Sequence, residues 1–229
     1  MKRGTYDEIE LDSLDAETRK AVQQLVSDCG NAAKVDEHGS WEFGAQFNSR
    51  GRGEALNWDL YAIGQDVHSG KMLAIVQIRK ARITKYGTSV RKNYFLCGYN
   101  EDGSAFAHPA SANVIRTAIR LERDPILAVQ DWMFAGDYAD MVRQGDVALV
   151  PVKRAQGQHV ALDEMIVEGS HGSHKLEARV IRKNGYIYAL DPILTHTLNQ
   201  HPTVSATGWY RVIVAERGHF WKFAAPTKD

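Results

Sequence analysis

Cysteine is scarce in this chain, with two in 229 residues, and Cys29 and Cys97 lie far apart with no flanking pattern. A disulfide framework or a zinc ribbon needs closely spaced cysteine pairs, so neither is expected. Net charge is missing as well. The 28 Lys and Arg balance 28 Asp and Glu, so no overall field draws the protein to nucleic acid or to an anionic membrane, and any such binding must come from a local patch. No apolar run is long enough to span a bilayer, and Met1-Lys2-Arg3-Gly4 leads into acidic residues rather than the apolar core of a signal peptide. These absences predict a soluble cytoplasmic protein without membrane partners. The His-Glu-x-x-His zinc helix, the Cys-x-x-Cys pair, the Gly-Lys-Ser phosphate loop and the Gly-x-Ser-x-Gly elbow are also missing, which removes most familiar metal and nucleotide classes.

What is present suits a folded protein: 44% apolar and 24% charged residues. Asp12-Ser13-Leu14-Asp15 offers N-caps, and Leu14, Ala21, Val22, Leu25 and Val26 recur at helical spacing until Cys29-Gly30, where a helix is expected to stop. Alternation at Trp41, Phe43, Ala45 and Phe47 reads as a strand. Ser49-Arg50-Gly51-Arg52-Gly53 then breaks it, as a solvated turn or, alternatively, a phosphate-binding loop. Strands are expected over 58–67, 72–84 and 89–98, forming an antiparallel meander. Arg79, Lys80, Arg82, Lys85, Arg91 and Lys92 occur along it without an intervening acid, interleaved with Tyr86 and Tyr94. Basic residues among aromatics on a sheet suit RNA or another single-stranded nucleic acid; the plainer alternative is an exposed hairpin whose charges keep sheet edges apart.

Ser111 and the pair Asp124-Pro125 each start a helix. From Arg143 onward strands return, over 147–152, 160–167, 176–181, 186–190 and 209–215, with a short last one at 220–223. The expected fold class is α+β: an antiparallel β-meander with helices over residues 1–142, then a small all-β barrel or sandwich module over 143–229.

Residues 168–201 carry the chemistry. His171 and His174 lie on one side of the Asn184-Gly185 turn, and His196 and His201 on the other. A hairpin that brings them together would make a site for a divalent metal such as zinc, iron or manganese. The four histidines are the ligand candidates, and Glu168 or Glu177 would assist catalysis. That arrangement predicts a metal-dependent enzyme of hydrolytic chemistry. Two further readings stand beside it. One is metal-independent RNA cleavage by a histidine acid/base pair, with Lys175 stabilising the anionic transition state. The other is a non-catalytic module that binds nucleic acid or protein through Lys80, Arg82, Lys85, Arg91 and Lys92.

The order Arg143-Gln144-Gly145-Asp146-Val147 with Leu149-Val150-Pro151, Glu168-Gly169 with His171 and His174, Leu194-Thr195-His196 with His201-Pro202, and Gly208-x-Tyr210-Arg211-Val212 resembles small uncharacterised bacterial and phage-borne proteins. The resemblance covers the last third of the chain. It implies one module in which the histidine segments belong together, and it implies no activity.

Overall fold

The computed structural model describes residues 8–35, 41–100, 103–145, 147–155, 159–168, 170, 172–198 and 202–215. The chain is α+β, with antiparallel strands in two sheets and three α-helices among the described residues. Contacts divide it into two compact units between Val129 and Gln130, whereas the sequence analysis set the division at 142/143.

In the first unit, α1 (Ala16–Val35) precedes a sheet of five strands in sequential order: β1 (Gly44–Phe47), β2 (Gly53–Gln65), β3 (Met72–Thr84), β4 (Gly87–Tyr99) and β5 (Ala105–Ala110). Val22, Leu25, Val26 and Cys29 fall on one stripe of α1. They pack with Leu60, Ala74, Val76, Ile78, Phe95 and Cys97, the residues of one sheet face. Each fully buried Leu or Val here contributes roughly 1.5–3 kcal/mol.

The expected helix stop at Gly30 does not occur. Gly30 is helical, and a Cβ on it would lie 3.0 Å from Cβ of Trp41, so its missing side chain admits the tryptophan rather than ending the helix. The two cysteines, remote in sequence, share this core as free thiols. Cys29 donates to the Phe106 carbonyl at 2.9 Å, and burial followed by the hydrogen bond to Cys29 pushes the Cys97 thiol up.

The opposite sheet face carries Leu73, Ile75 and Leu96. Helices α2 (Ala112–Arg120) and α3 (Pro125–Met133) follow β5, contributing buried Ile115, Ala118, Ile126 and Val129. Asp124 caps α3 by accepting the Ile126 N–H at 2.8 Å. Gly64 belongs to the same face, where an added Cβ would meet Ile126 Cδ1 at 2.9 Å. Strand β5 lies outside the strands expected from the sequence. Its Pro109 is tolerated because β5 is an edge strand.

Both faces of β3 are buried from Leu73 to Ile78, but every residue of β4 from Gly87 to Asn93 is exposed. The outer half of the meander therefore leaves the core as an arm one sheet thick.

The second unit holds β6 (Val142–Gln144), β7 (Val147–Pro151), β8 (His159–Ile166), β9 (His174–Lys183), β10 (Tyr186–His196), β11 (Val204–Ser205) and β12 (Trp209–Val214). Their order is β6-β7-β12-β10-β9-β8, with β11 beside β10, and among the described residues no pairing joins β6 to β8. The β9–β10 turn is Asn184-Gly185, at φ 52° and 78°, as its sequence predicts.

Strand β10 runs six residues beyond its expected end because of a bulge between Leu190 and Ile193. Asp191 there has φ 51°, and its carboxylate accepts the Gly208 N–H at 2.7 Å. The bulge switches which residues face the core: Ile187 and Ala189 before it, Leu194 and His196 after it. The strand expected at 220–223 lies outside the described residues.

Candidate functional site

Of the four histidines, the structure describes two and brings them together. His174 opens β9 and His196 ends β10, directly opposite in register, with ring centroids 4.9 Å apart and planes at 85°. His196 lies beyond the strand end expected at residue 190, and the bulge keeps it in the strand and on the core face. The rings continue the apolar row of Leu176 and Leu194 and are 2% and 3% exposed. His171 and His201 lie outside the described residues.

Hydrogen bonds fix complementary tautomers. Ser173 Oγ donates its single hydrogen to the Ser170 carbonyl, so at 2.8 Å it accepts from His174 Nδ1. The neutral His174 ring therefore carries its lone pair on Nε2. His196 Nδ1 accepts the Leu198 N–H at 3.2 Å, which puts the hydrogen of its neutral ring on Nε2. Metal-bound histidines ordinarily donate through the second ring nitrogen. His174 has that arrangement and His196 has the reverse.

The assisting residues are elsewhere. Strand alternation puts Lys175 and Glu177 on the face opposite His174, where they pair with each other at 3.3 Å. Glu168 is exposed and lies 3.8 Å from Arg182. Among the described residues Lys175 therefore does not share a face with His174 and His196. Among the described residues no group of three His, Cys, Asp or Glu is placed to hold a metal ion.

The arm of the first sheet gathers more than its hairpin. Gly53 of β2 pairs with Ile83, and Ile83 with Thr88, so the β1–β2 turn carrying Arg50 and Arg52 lies at the same end as the β3–β4 turn carrying Lys85 and Tyr86. The two basic segments, read separately in sequence, form one patch. Its eight cations, Arg50 and Arg52 with the six of the hairpin, face two carboxylates, Glu54 and, beside Arg79, Asp59.

Register divides the hairpin cations between faces: Lys80, Arg82 and Arg91 on the Glu54 face, Arg79 and Lys92 on the other. Glu54 binds Lys80 at 2.8 Å and approaches Arg82 at 3.7 Å, and the Lys80 hydrogen bond above all holds its carboxyl below the usual range. Arg50, Arg52, Lys85, Arg91 and Lys92 form no ion pair among the described residues. Lys85 instead sits 4.6 Å from the Tyr86 ring centroid. Tyr86 is 87% exposed and Phe47, at the same end, 46%.

Behind the Arg79–Lys92 row the sheet places Tyr94 beside polar residues not among the expected site residues, Asp59 and Gln77. Asp59, Gln77 and Tyr94 form one cross-strand row, and a bulge between Leu60 and Ala62 leaves Tyr61 as the extra residue beside it. Gln77, 1% exposed, donates to the Tyr61 hydroxyl at 3.0 Å, and Tyr61 and Tyr94 meet edge to face. Burial, then the hydrogen bond with Tyr94, pushes the Tyr61 phenol up. Asp59 pairs with Arg79 at 3.1 Å, but burial outweighs that pairing and raises its carboxyl.

Among the described residues neither Gln77 Oε1 nor Asp59 Oδ2 has a hydrogen-bond partner. An unmet buried acceptor costs roughly 1–3 kcal/mol. One signal for this row was available in sequence: a glutamine inside the apolar run Leu73-Ala74-Ile75-Val76-Gln77-Ile78. No protein-family model, curated protein or solved structure matches this chain.

Proposed function

We propose that the outer end of the first sheet binds single-stranded nucleic acid without cleaving it, the phosphates held by the basic turns and hairpin. The observation that carries this reading is the convergence of eight cations, met by two carboxylates, Glu54 and Asp59, in a chain whose net charge is zero. Exposed Tyr86 and Phe47 at that end supply ring faces on which unpaired bases stack, a contact that a duplex does not offer. Along β4 the arm is exposed on both faces from Gly87 to Asn93, so a flexible strand can follow it where a stiff helix cannot.

The test is fluorescence anisotropy with a labelled DNA strand of about 15 nucleotides, a length within the range that a small single-strand binder covers. Binding that weakens with salt and is lost in Arg82→Glu with Lys85→Glu supports the reading. Salt-independent binding, or binding untouched by the double reversal, refutes it.

A second reading, acid/base chemistry at His174 and His196, is favoured by their complementary tautomers. His196 Nε2–H supplies a donor and His174 Nε2 an acceptor. It requires no metal at those two rings. Loss of RNA cleavage in both His174→Gln and His196→Gln tests it.

A further inference from the structure

Two acceptor oxygens lie immediately behind the arm. Asp59 and Gln77 are directly opposite in the β2–β3 ladder, and the next row outward, Asn57, Arg79 and Lys92, is where the arm's cations begin. Gln77 commits its amide N–H to Tyr61, leaving Oε1 without a donor among the described residues. Asp59 faces Arg79, leaving Oδ2 in the same condition. Two neighbouring acceptors, one of them charged, call for a group with two hydrogens on one nitrogen. Arg79, with its side chain 38% exposed, covers Asp59 on the side of the arm.

Resting on the nucleic-acid reading of the arm, the geometry points to a site at Asp59 and Gln77 that reads the exocyclic amino group of a nucleobase in a single strand, cytosine rather than thymine. Arg79 leaves Asp59 Oδ1 for a phosphate when a strand lies along the arm, which uncovers the carboxylate, and the base amine donates one hydrogen to Asp59 Oδ2 and the other to Gln77 Oε1. Thymine carries a carbonyl oxygen at the equivalent position, a third acceptor facing two. The arm is one sheet thick, so a strand gripped at the turns reaches this face around its end.

The experiment compares oligo(dC) and oligo(dT) of about 15 nucleotides at neutral pH, by anisotropy, on the whole chain. The expected result is roughly tenfold tighter binding of oligo(dC), within the discrimination of a bidentate base contact. Asp59→Asn, isosteric and able to present a donor, should bring the two affinities within about threefold, chiefly by weakening oligo(dC). Gln77→Glu, which restores two acceptors, should keep the preference. Equal affinities in the wild type overturn the site while leaving the arm intact, and mean that ordinary buried water fills the gap. A preference unchanged in Asp59→Asn also overturns it. If neither strand binds, the arm reading and this site fall together.

Discussion

Glu54→Gln should strengthen nucleic-acid binding, although it touches no nucleotide. A strand on the Glu54 face meets Arg91 and the turn cations Arg50, Arg52 and Lys85, four charges without an ion pair among the described residues, while Lys80 and Arg82 are engaged by Glu54. For single strands log K falls with log salt at a slope of about −0.7 per phosphate neutralised, so four contacts give about −2.8, or roughly a 50-fold loss of affinity between 50 and 200 mM salt. Removing the carboxylate frees two further cations, steepening the slope to about −4.2 and the loss to roughly 300-fold. Anisotropy titrations across that range measure both slopes. An unchanged slope and affinity in Glu54→Gln refutes the claim that Glu54 restrains the patch. Weaker binding would show instead that the ion pairs organise it.

The remaining predictions concern stability and protonation. Leu25→Ala leaves a hole between α1 and the sheet, and urea unfolding should show a loss of about 2–5 kcal/mol. Burial, then the hydrogen bond to Asp28, pushes the Tyr99 phenol up to about 12. The fold thus favours the neutral phenol, a contribution complete below the ordinary value near 10 and lost as pH rises through about 12. Tyr99→Phe should flatten the stability decline in that window, and an unchanged decline contradicts the assignment. Long-range nitrogen–proton NMR spectra at neutral pH should report His174 protonated on Nδ1 and His196 on Nε2; identical tautomers would undo the hydrogen-bond assignment.

Wherever one period ran unbroken, sequence led straight to structure. Strand β3 begins and ends at the expected Met72 and Thr84, and Asp124-Pro125 opens α3 as its capping chemistry implies. Interruptions were harder to see. At Leu190 the core-facing alternation breaks off in sequence, because the signal that it resumes one step out of phase resides in the Asp191 backbone and its bond to Gly208. Gly30 looked like a helix terminator because its tight neighbour, Trp41, is brought to it only by tertiary packing.

The site divided along similar lines. Pairing of His174 with His196 followed from the Asn184-Gly185 turn, but the positions of Lys175 and Glu177 depended on strand alternation, which places them across the sheet. Likewise the Arg-Gly turn and the basic hairpin are separated by a whole strand in sequence and are neighbours only through the β2–β3 register.

Strand β10 behaves as two segments spliced out of phase at Asp191-Pro192, each with its own frame relative to the core. Deleting Asp191 would remove that surplus residue and put Ile187, Ala189, Leu194 and His196 on one unbroken alternation, with Leu194 still opposite Leu176 and His196 still opposite His174. The bulge thus absorbs a one-residue surplus upstream of the histidine pair and leaves the pairing of His196 with His174 intact.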